Sequence, residues 1–295
     1  MSEMYAKLSL LRSAHKFYNM SYITLIWQYI FKRYESMTVP LCGVDNCMSL
    51  GNLISLPVLI EQGFKISSVK ETSITFEYKN DVIIKCRTDR GLDIGHIQEI
   101  FLKGAYRTSL ASKNVIDIGM SNGDSAIYFA KQGANKIIGI EPTKESFDLA
   151  IENIKSSNVA QKIIAINKGV GVKTGKAELF MSEYSPNGNS LDQSNMIDLS
   201  NRKEFKRTVD VITIENILSL LNGETCHLMK MDCEGCEYSV LGNLNYNLFE
   251  KIEEIQLEFH NGLQNLPDIL KKAGYILNIA KGNKKMGYIV AKKVI

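Results

Sequence analysis

The chain has 295 residues, 45% of them apolar and 23% charged, a composition that supports a full buried core and excludes disordered and collagen-like chains. A net charge of +3, with basic pairs scattered at Lys271-Lys272, Lys284-Lys285 and Lys292-Lys293, does not make the basic track of a nucleic-acid-binding surface. Six cysteines in this length do not form a disulfide scaffold, and no leader peptide is expected, so the expectation is a chain of the reducing cytoplasm.

In chain order, residues 8–34 read as helical. Their apolar part, 20–31, contains Ser21, Tyr22, Thr24 and Gln28 and is too short to span a bilayer. It suits an amphipathic helix packed on its own protein, or one in peripheral contact with a membrane. A loop with Pro40 and Gly43 follows, then period-2 runs over 73–78 and 82–86 that read as a hairpin around Lys79-Asn80-Asp81. Residues 1–98 thus form a helical and β-hairpin extension, a candidate substrate cap. From 99 to 295 the texture changes. Strands over 115–119, 136–141, 162–167, 227–232 and 254–259 alternate with helices over 124–132, 144–156 and 263–273, and a closing hairpin pairs 275–280 with 287–292. Apolar strands alternating with helices mean a mostly parallel sheet covered on both faces, an α/β Rossmann-like fold. The Ser- and Asn-rich stretch 183–201 reads as a surface loop or a lid.

Two segments carry chemistry. The first runs Val115-Ile116-Asp117-Ile118-Gly119-Met120-Ser121-Asn122-Gly123-Asp124-Ser125. A buried strand enters a turn with glycines at 119 and 123 and leaves as a helix, so backbone can approach a ligand and free N–H groups face it. A dinucleotide site wants Gly at 121 and no acid at the helix start; Ser121 and Asp124 depart from that, and Asp124 suits the ammonium of a methionine better than a pyrophosphate. Eighteen residues after Gly123, Glu141 ends the second strand, where a carboxylate accepts from ribose hydroxyls. Before Pro142 the same acid also suits a helix cap. The second segment is Lys230-Met231-Asp232-Cys233-Glu234-Gly235-Cys236-Glu237. It crowds acids at a strand's carboxyl end, where open α/β sheets hold ligands; an acidic helix start accounts for Glu237 but less well for Asp232 and Glu234. Cys233 and Cys236 lack further ligands of zinc spacing and read as core-packing thiols. His260 follows the fifth strand and is either a base at the ligand edge or a hydrogen-bonded loop residue.

Together the two motifs, with Tyr128-Phe129-Ala130, Ile140-Glu141-Pro142 and Gly274-Tyr275, resemble the FkbM family of S-adenosylmethionine-dependent methyltransferases over residues 99–279. The resemblance implies a class I methyltransferase fold, S-adenosylmethionine as cofactor, and a hydroxyl acceptor on a sugar or glycosylated product. It places Gly119, Ser121, Gly123, Asp124 and Glu141 on cofactor-contact positions and Asp232 and Glu234 on the family's acidic motif. Asp117, Ser125 and Pro142 adjoin these and complete the candidate cofactor site. Asp232, Glu234 and His260 are the candidate bases, and a divalent metal on the acids is the alternative. A small-molecule or glycan acceptor is expected rather than nucleic acid. The rivals are a nucleic-acid methyltransferase, a nicotinamide-dependent oxidoreductase and a non-catalytic cofactor-binding module.

Overall fold

The computed structural model describes residues 2–31, 35–79, 81–182, 189–191, 204–281 and 285–293. Met1–Ala105 with Ser156–Asn158 form one unit, and Tyr106–Lys155, Val159–Glu183 and Gly188–Ile295 form the other.

In the first unit the helical stretch is two helices, α1 (Ser2–Tyr18) and α2 (Tyr22–Phe31). Asn19 breaks it at φ 52°, a left-handed conformation that Asn tolerates. The loop expected at Pro40 and Gly43 is instead a hairpin, β1 (Ser36–Leu41) with β2 (Val44–Ser49). In a two-stranded ribbon both strands are edges, so proline's missing N–H is tolerated, and Cys42-Gly43, both at positive φ, make the turn. Helix α3 (Leu50–Glu61) has Pro57 inside it, which hides it from a sequence reading; Ser49 caps it by accepting from the Asn52 N–H. The expected hairpin is a three-stranded sheet of β3 (Lys65–Lys70), β4 (Ser73–Tyr78) and β5 (Val82–Arg87). Helix α4 (Asp93–Ile97) follows, its buried Asp93 paired with Arg87 at 2.9 Å.

The second unit holds β6 (Asn114–Ile118), α5 (Asp124–Lys131), β7 (Lys136–Ile140), α6 (Lys144–Ser156) and β8 (Ile163–Ile166). A small sheet, in the order β10-β11-β9, comprises β9 (Gly169–Val170), β10 (Gly175–Ser182) and β11 (Glu204–Ile212). Then come α7 (Ile214–Ser219), β12 (Cys226–Met231), α8 (Cys236–Gly242), α9 (Tyr246–Phe249), β13 (Ile252–Phe259), α10 (Leu266–Lys272), β14 (Tyr275–Lys281) and β15 (Gly287–Lys293). The main sheet has seven strands in the order β14-β15-β13-β12-β6-β7-β8. It is parallel from β8 to β13, and the closing hairpin β14–β15 adds the antiparallel edge. This is the α/β Rossmann-like architecture expected from the alternation. β6 is buried at every position, and Ile116, Ile138, Met229, Ile255 and Leu257 share one core cluster.

The chain leaves β6 toward β7 and β8 on one side and returns to β12 and β13 on the other. Reversal of strand order opens a crevice at the carboxyl ends of β6 and β12. Both sequence motifs lie there.

Candidate active site

At the end of β6 the backbone turns through Gly119 at φ 77° and Gly123 at φ 86°. A Cβ at Gly119 would stand 1.9 Å from the Asp232 carbonyl oxygen, so glycine is what lets the two motifs touch. A Cβ at Gly123 would meet Ala150 of α6 at 3.2 Å. Ser121, also at positive φ, donates its N–H to Glu141 Oε2 at 3.1 Å, and Glu141 Oε1 accepts from the Thr143 N–H at 2.8 Å. Glu141 therefore ties the turn to the start of α6, with Asn167 holding the Glu141 and Pro142 carbonyls. Asp124 is buried at the first position of α5 and accepts from the Ser125 N–H at 2.7 Å.

Beneath the turn lies a buried charge pair. Asp117, in β6, accepts from Ser125 Oγ at 2.6 Å and stands 3.1 Å from Lys230 Nζ in β12. Lys230 also donates to the Gly119 carbonyl at 2.5 Å and lies 4.0 Å from Asp232. Burial opposes its charge, but Asp117, Asp232 and Asp124 outweigh it and raise its pKa. Asp117 and Ser125 thus face this pair under the turn. Sequence reasoning missed Lys230; its signal was an ionisable residue inside an otherwise apolar strand.

The second motif follows β12. Glu234 and Gly235 both have positive φ, and this kink lets α8 start at Cys236. His260, just after β13, points Nε2 at Asp232 Oδ1 and Glu234 Oε2, each 3.6 Å away, while its Nδ1–H donates to Glu237 Oε1 at 3.2 Å. Glu237 is fully buried and is the partner that orients the imidazole, a role the sequence did not disclose. Tyr106, also missed, donates its hydroxyl to Asp232 Oδ2 at 3.4 Å. Asp232 and Glu234 keep 28% and 22% of their side-chain surface open, against 5% for His260, so the two acids are what an incoming molecule meets. Of the stretch read as a lid, 183–188 and 192–201 lie outside the described residues. Ser190 lies within them and donates to the Glu234 carbonyl at 2.6 Å.

Burial pushes the Glu234 carboxyl up to about 8; the neighbouring acids add to this and His260 only partly offsets it. For His260, burial favours the neutral ring. The Glu237 hydrogen bond and the charges of Glu234, Glu237 and Asp232 overcome that and push its pKa up to about 10. The surroundings thus favour the charged imidazole and hold the proton on the Glu234 carboxyl to a higher pH than on an ordinary carboxylate. Asp232, Glu234 and His260 can each aim one donor atom so that all lie within 4.8 Å of one another.

Cys233 and Cys236, expected as thiols, are joined by a disulfide with 5.5 Å between Cα atoms. Their two-residue spacing across the Glu234-Gly235 kink brings the sulfurs together; spacing alone does not distinguish this from two packed thiols. Cys236 is nevertheless buried and both residues adjoin the main core.

The FkbM methyltransferase domain model matches residues 117–277, from the end of β6 into β14, and so takes in the glycine turn and the whole second motif. The chain belongs to the FkbM methyltransferase family. It is accordingly an S-adenosylmethionine-dependent methyltransferase. Solved structures that resemble this FkbM chain include the precorrin-6y C5,15-methyltransferase of Geobacter metallireducens GS-15, at 11% identity, covering 64% of this chain and 84% of that one, TM-score 0.37. Others are the ribosomal protein L11 methylase of Lactobacillus delbrueckii subsp. bulgaricus, at 13% identity, 68% and 79% coverage and TM-score 0.39, and M. capricolum TrmK with S-adenosyl-homocysteine, at 12%, 65% and 67%, and 0.39. No curated protein sequence matches the chain. Among the described residues no helix is long and apolar enough to cross a membrane.

Proposed function

We propose that this methyltransferase acts on a hydroxyl group of a sugar or glycosylated product, and that Asp232 is the base. The observation that carries the reading is the convergence of Asp232, Glu234 and His260 beside the glycine turn, with the two acids open and the histidine closed off. A hydroxyl is a weak nucleophile and gains ~10²–10⁴ in rate from a positioned base. An acceptor that is already anionic gains nothing from one. The sugar is what the resemblance to FkbM methyltransferases implies, and that resemblance supports it. Beyond residue 33 acids outnumber Lys and Arg by 31 to 30, which favours a small acceptor over a nucleic acid.

The donor set fits the cofactor. Glu141 supplies carboxylate oxygens for ribose hydroxyls, Asp124 a counter-charge for the ammonium, and Gly119, Ser121 and Gly123 a close backbone. Asp117 and Ser125 hold the turn from below, and Pro142 fixes the entry to α6. The cofactor brings a methyl group already activated by the sulfonium charge. The chain's own work is to hold the acceptor and take its proton. In this reading the proton passes from the acceptor oxygen to the Asp232 carboxylate. Glu234, whose burial favours the protonated form, donates a hydrogen bond to the acceptor. His260, a cation pinned by Glu237, positions both acids and is not the base.

A second reading has its own observation, the mixed carboxylate and imidazole donors that can gather within 4.8 Å. A divalent ion held there would lower the hydroxyl pKa instead. Single-turnover methyl transfer separates the two. With Asp232 as base, Asp232→Asn loses ~10²–10⁴ in rate at unchanged cofactor affinity and chelator has no effect, whereas a metal site is silenced by chelator and restored by Mg²⁺.

A further inference from the structure

Helix α2 is amphipathic in an unusual sense: it contains no charged residue, and its outward side is apolar. Ile23, Trp27, Ile30 and Phe31 are 79%, 47%, 59% and 70% exposed. Their spacing of four, three and one residues places them on one stripe, while Leu25 and Gln28 are buried on the other side. Phe17, in the last turn of α1, is exposed as well. The remaining exposed large apolar residues among those described, such as Leu92, Ile164, Val172 and Ile276, are scattered over separate elements and loops. Single exposed apolar residues need no explanation, but a stripe of them does.

Charge says what covers the stripe. Residues 1–33 carry Lys7, Arg12, Lys16, Lys32 and Arg33 against one acid, Glu3. This exceeds the net charge of the whole chain, +3, so the positive excess lies in the first 33 residues of the sequence, the segment that contains α2. Arg12 and Lys16 are exposed and lie one turn apart on α1. A second copy packed face to face would bring two such basic segments together. An anionic bilayer offers hydrocarbon for the stripe and countercharge for the flanks. Ten residues span about 15 Å as a helix, too short to cross but enough to lie in the headgroup plane. Tryptophan favours that depth.

We infer that α2 docks this protein on anionic lipid surfaces, with Ile23, Trp27, Ile30 and Phe31 as the inserted face. The inference is independent of the acceptor proposed above. Trp27 is the chain's only tryptophan, so its emission reports the contact directly. The test uses the full chain with phosphatidylcholine vesicles that contain or lack phosphatidylserine at about 30 mol %. Anionic vesicles should shift Trp27 emission to the blue and pellet the protein. Pure phosphatidylcholine should bind at least tenfold more weakly, since each basic residue near the surface is worth about fivefold, and molar salt should remove that difference. Ile23→Ser with Phe31→Ser should weaken binding to anionic vesicles at least tenfold while leaving the melting temperature and cofactor affinity unchanged. Absence of both shift and pelleting, or equal binding to the two vesicle types, would overturn the inference. So would a lipid-free dimer in sedimentation equilibrium that the double variant dissociates, because a second copy would then be the occupant.

Discussion

Lys230→Met tests the buried pair that ties the two motifs together. Asp117 is fully buried and its Lys230 partner is 3% exposed, with 3.1 Å between charged atoms. Replacing the lysine leaves a carboxylate in a dry strand with only Ser125 Oγ to stabilise it. Breaking such a pair from one side costs about 3–5 kcal/mol. For a unit of this size that corresponds to a melting temperature lower by roughly 10 °C. The Gly119 carbonyl also loses its donor, so S-adenosylmethionine should bind more weakly. Removing both charges, in Lys230→Met with Asp117→Asn, should recover at least half of the lost stability, because Asn still accepts from Ser125. Urea unfolding of the parent, both single variants and the double variant gives the coupling energy, expected above about 1 kcal/mol for residues in contact. A Lys230→Met variant within about 1 kcal/mol of the parent, or strictly additive losses, would refute the pairing argument.

Other perturbations have equally definite outcomes. Gly119→Ala puts a methyl against the Asp232 carbonyl and forces an L-residue to φ 77°, so it should lower stability by more than the ~1–2 kcal/mol of the backbone term alone and reduce turnover; a neutral result in a thermal melt would contradict the close approach. Glu141→Ala removes the carboxylate offered to ribose and should weaken cofactor binding by at least ~1.5–3 kcal/mol in calorimetry, the worth of one charge-assisted hydrogen bond; unchanged affinity would make Glu141 only a tie between the turn and α6. His260 has its pKa raised from 6.5 to about 10. Its contribution to stability is therefore complete below pH 6.5 and lost as pH rises through 10. Glu234, raised from 4.5 to about 8, also binds its proton more tightly when folded, so its share is complete below pH 4.5 and lost as pH rises through 8. Melting temperature should fall from pH 4.5 to 10, with Glu234 contributing up to about 8 and His260 from 6.5 upward, and His260→Gln should flatten the fall above pH 8; identical slopes there would count against the imidazolium. Alkylation of the unfolded, unreduced protein should modify four cysteines, Cys42, Cys47, Cys86 and Cys226, rising to six after reduction; six without reduction would contradict the Cys233–Cys236 disulfide.

The sequence made the parallel sheet legible because β6, β7 and β8 are mostly apolar, and β6 and β12 each run into a recognisable turn. Gly119 and Gly123 sit between such a strand and a helix, and the acids at 232 and 234 close another strand, so the crevice could be drawn before any coordinates. What stayed hidden depends on contacts between distant segments. Lys230 looks like an interruption of β12 until Asp117 is seen beside it. Glu237 reads as an acid at a helix start, yet its carboxylate orients His260, which follows a strand formed later in the chain. Tyr106 precedes the first motif and carries no local signal that it meets Asp232. In the first unit Pro40 and Pro57 point away from regular structure, yet an edge strand and a helix absorb them.

The fate of a labelled methyl group tests the proposed reaction most directly. Incubating the protein with methyl-labelled S-adenosylmethionine and, side by side, extracted glycans and RNA distinguishes the acceptors. Alkali then separates a stable methyl ether from a labile ester. The expected result is alkali-stable label in the glycan fraction, formed by the parent protein and lost in Asp232→Asn. Label in RNA, label released by alkali, or an Asp232→Asn rate equal to the parent's would contradict a glycan hydroxyl acceptor activated by Asp232.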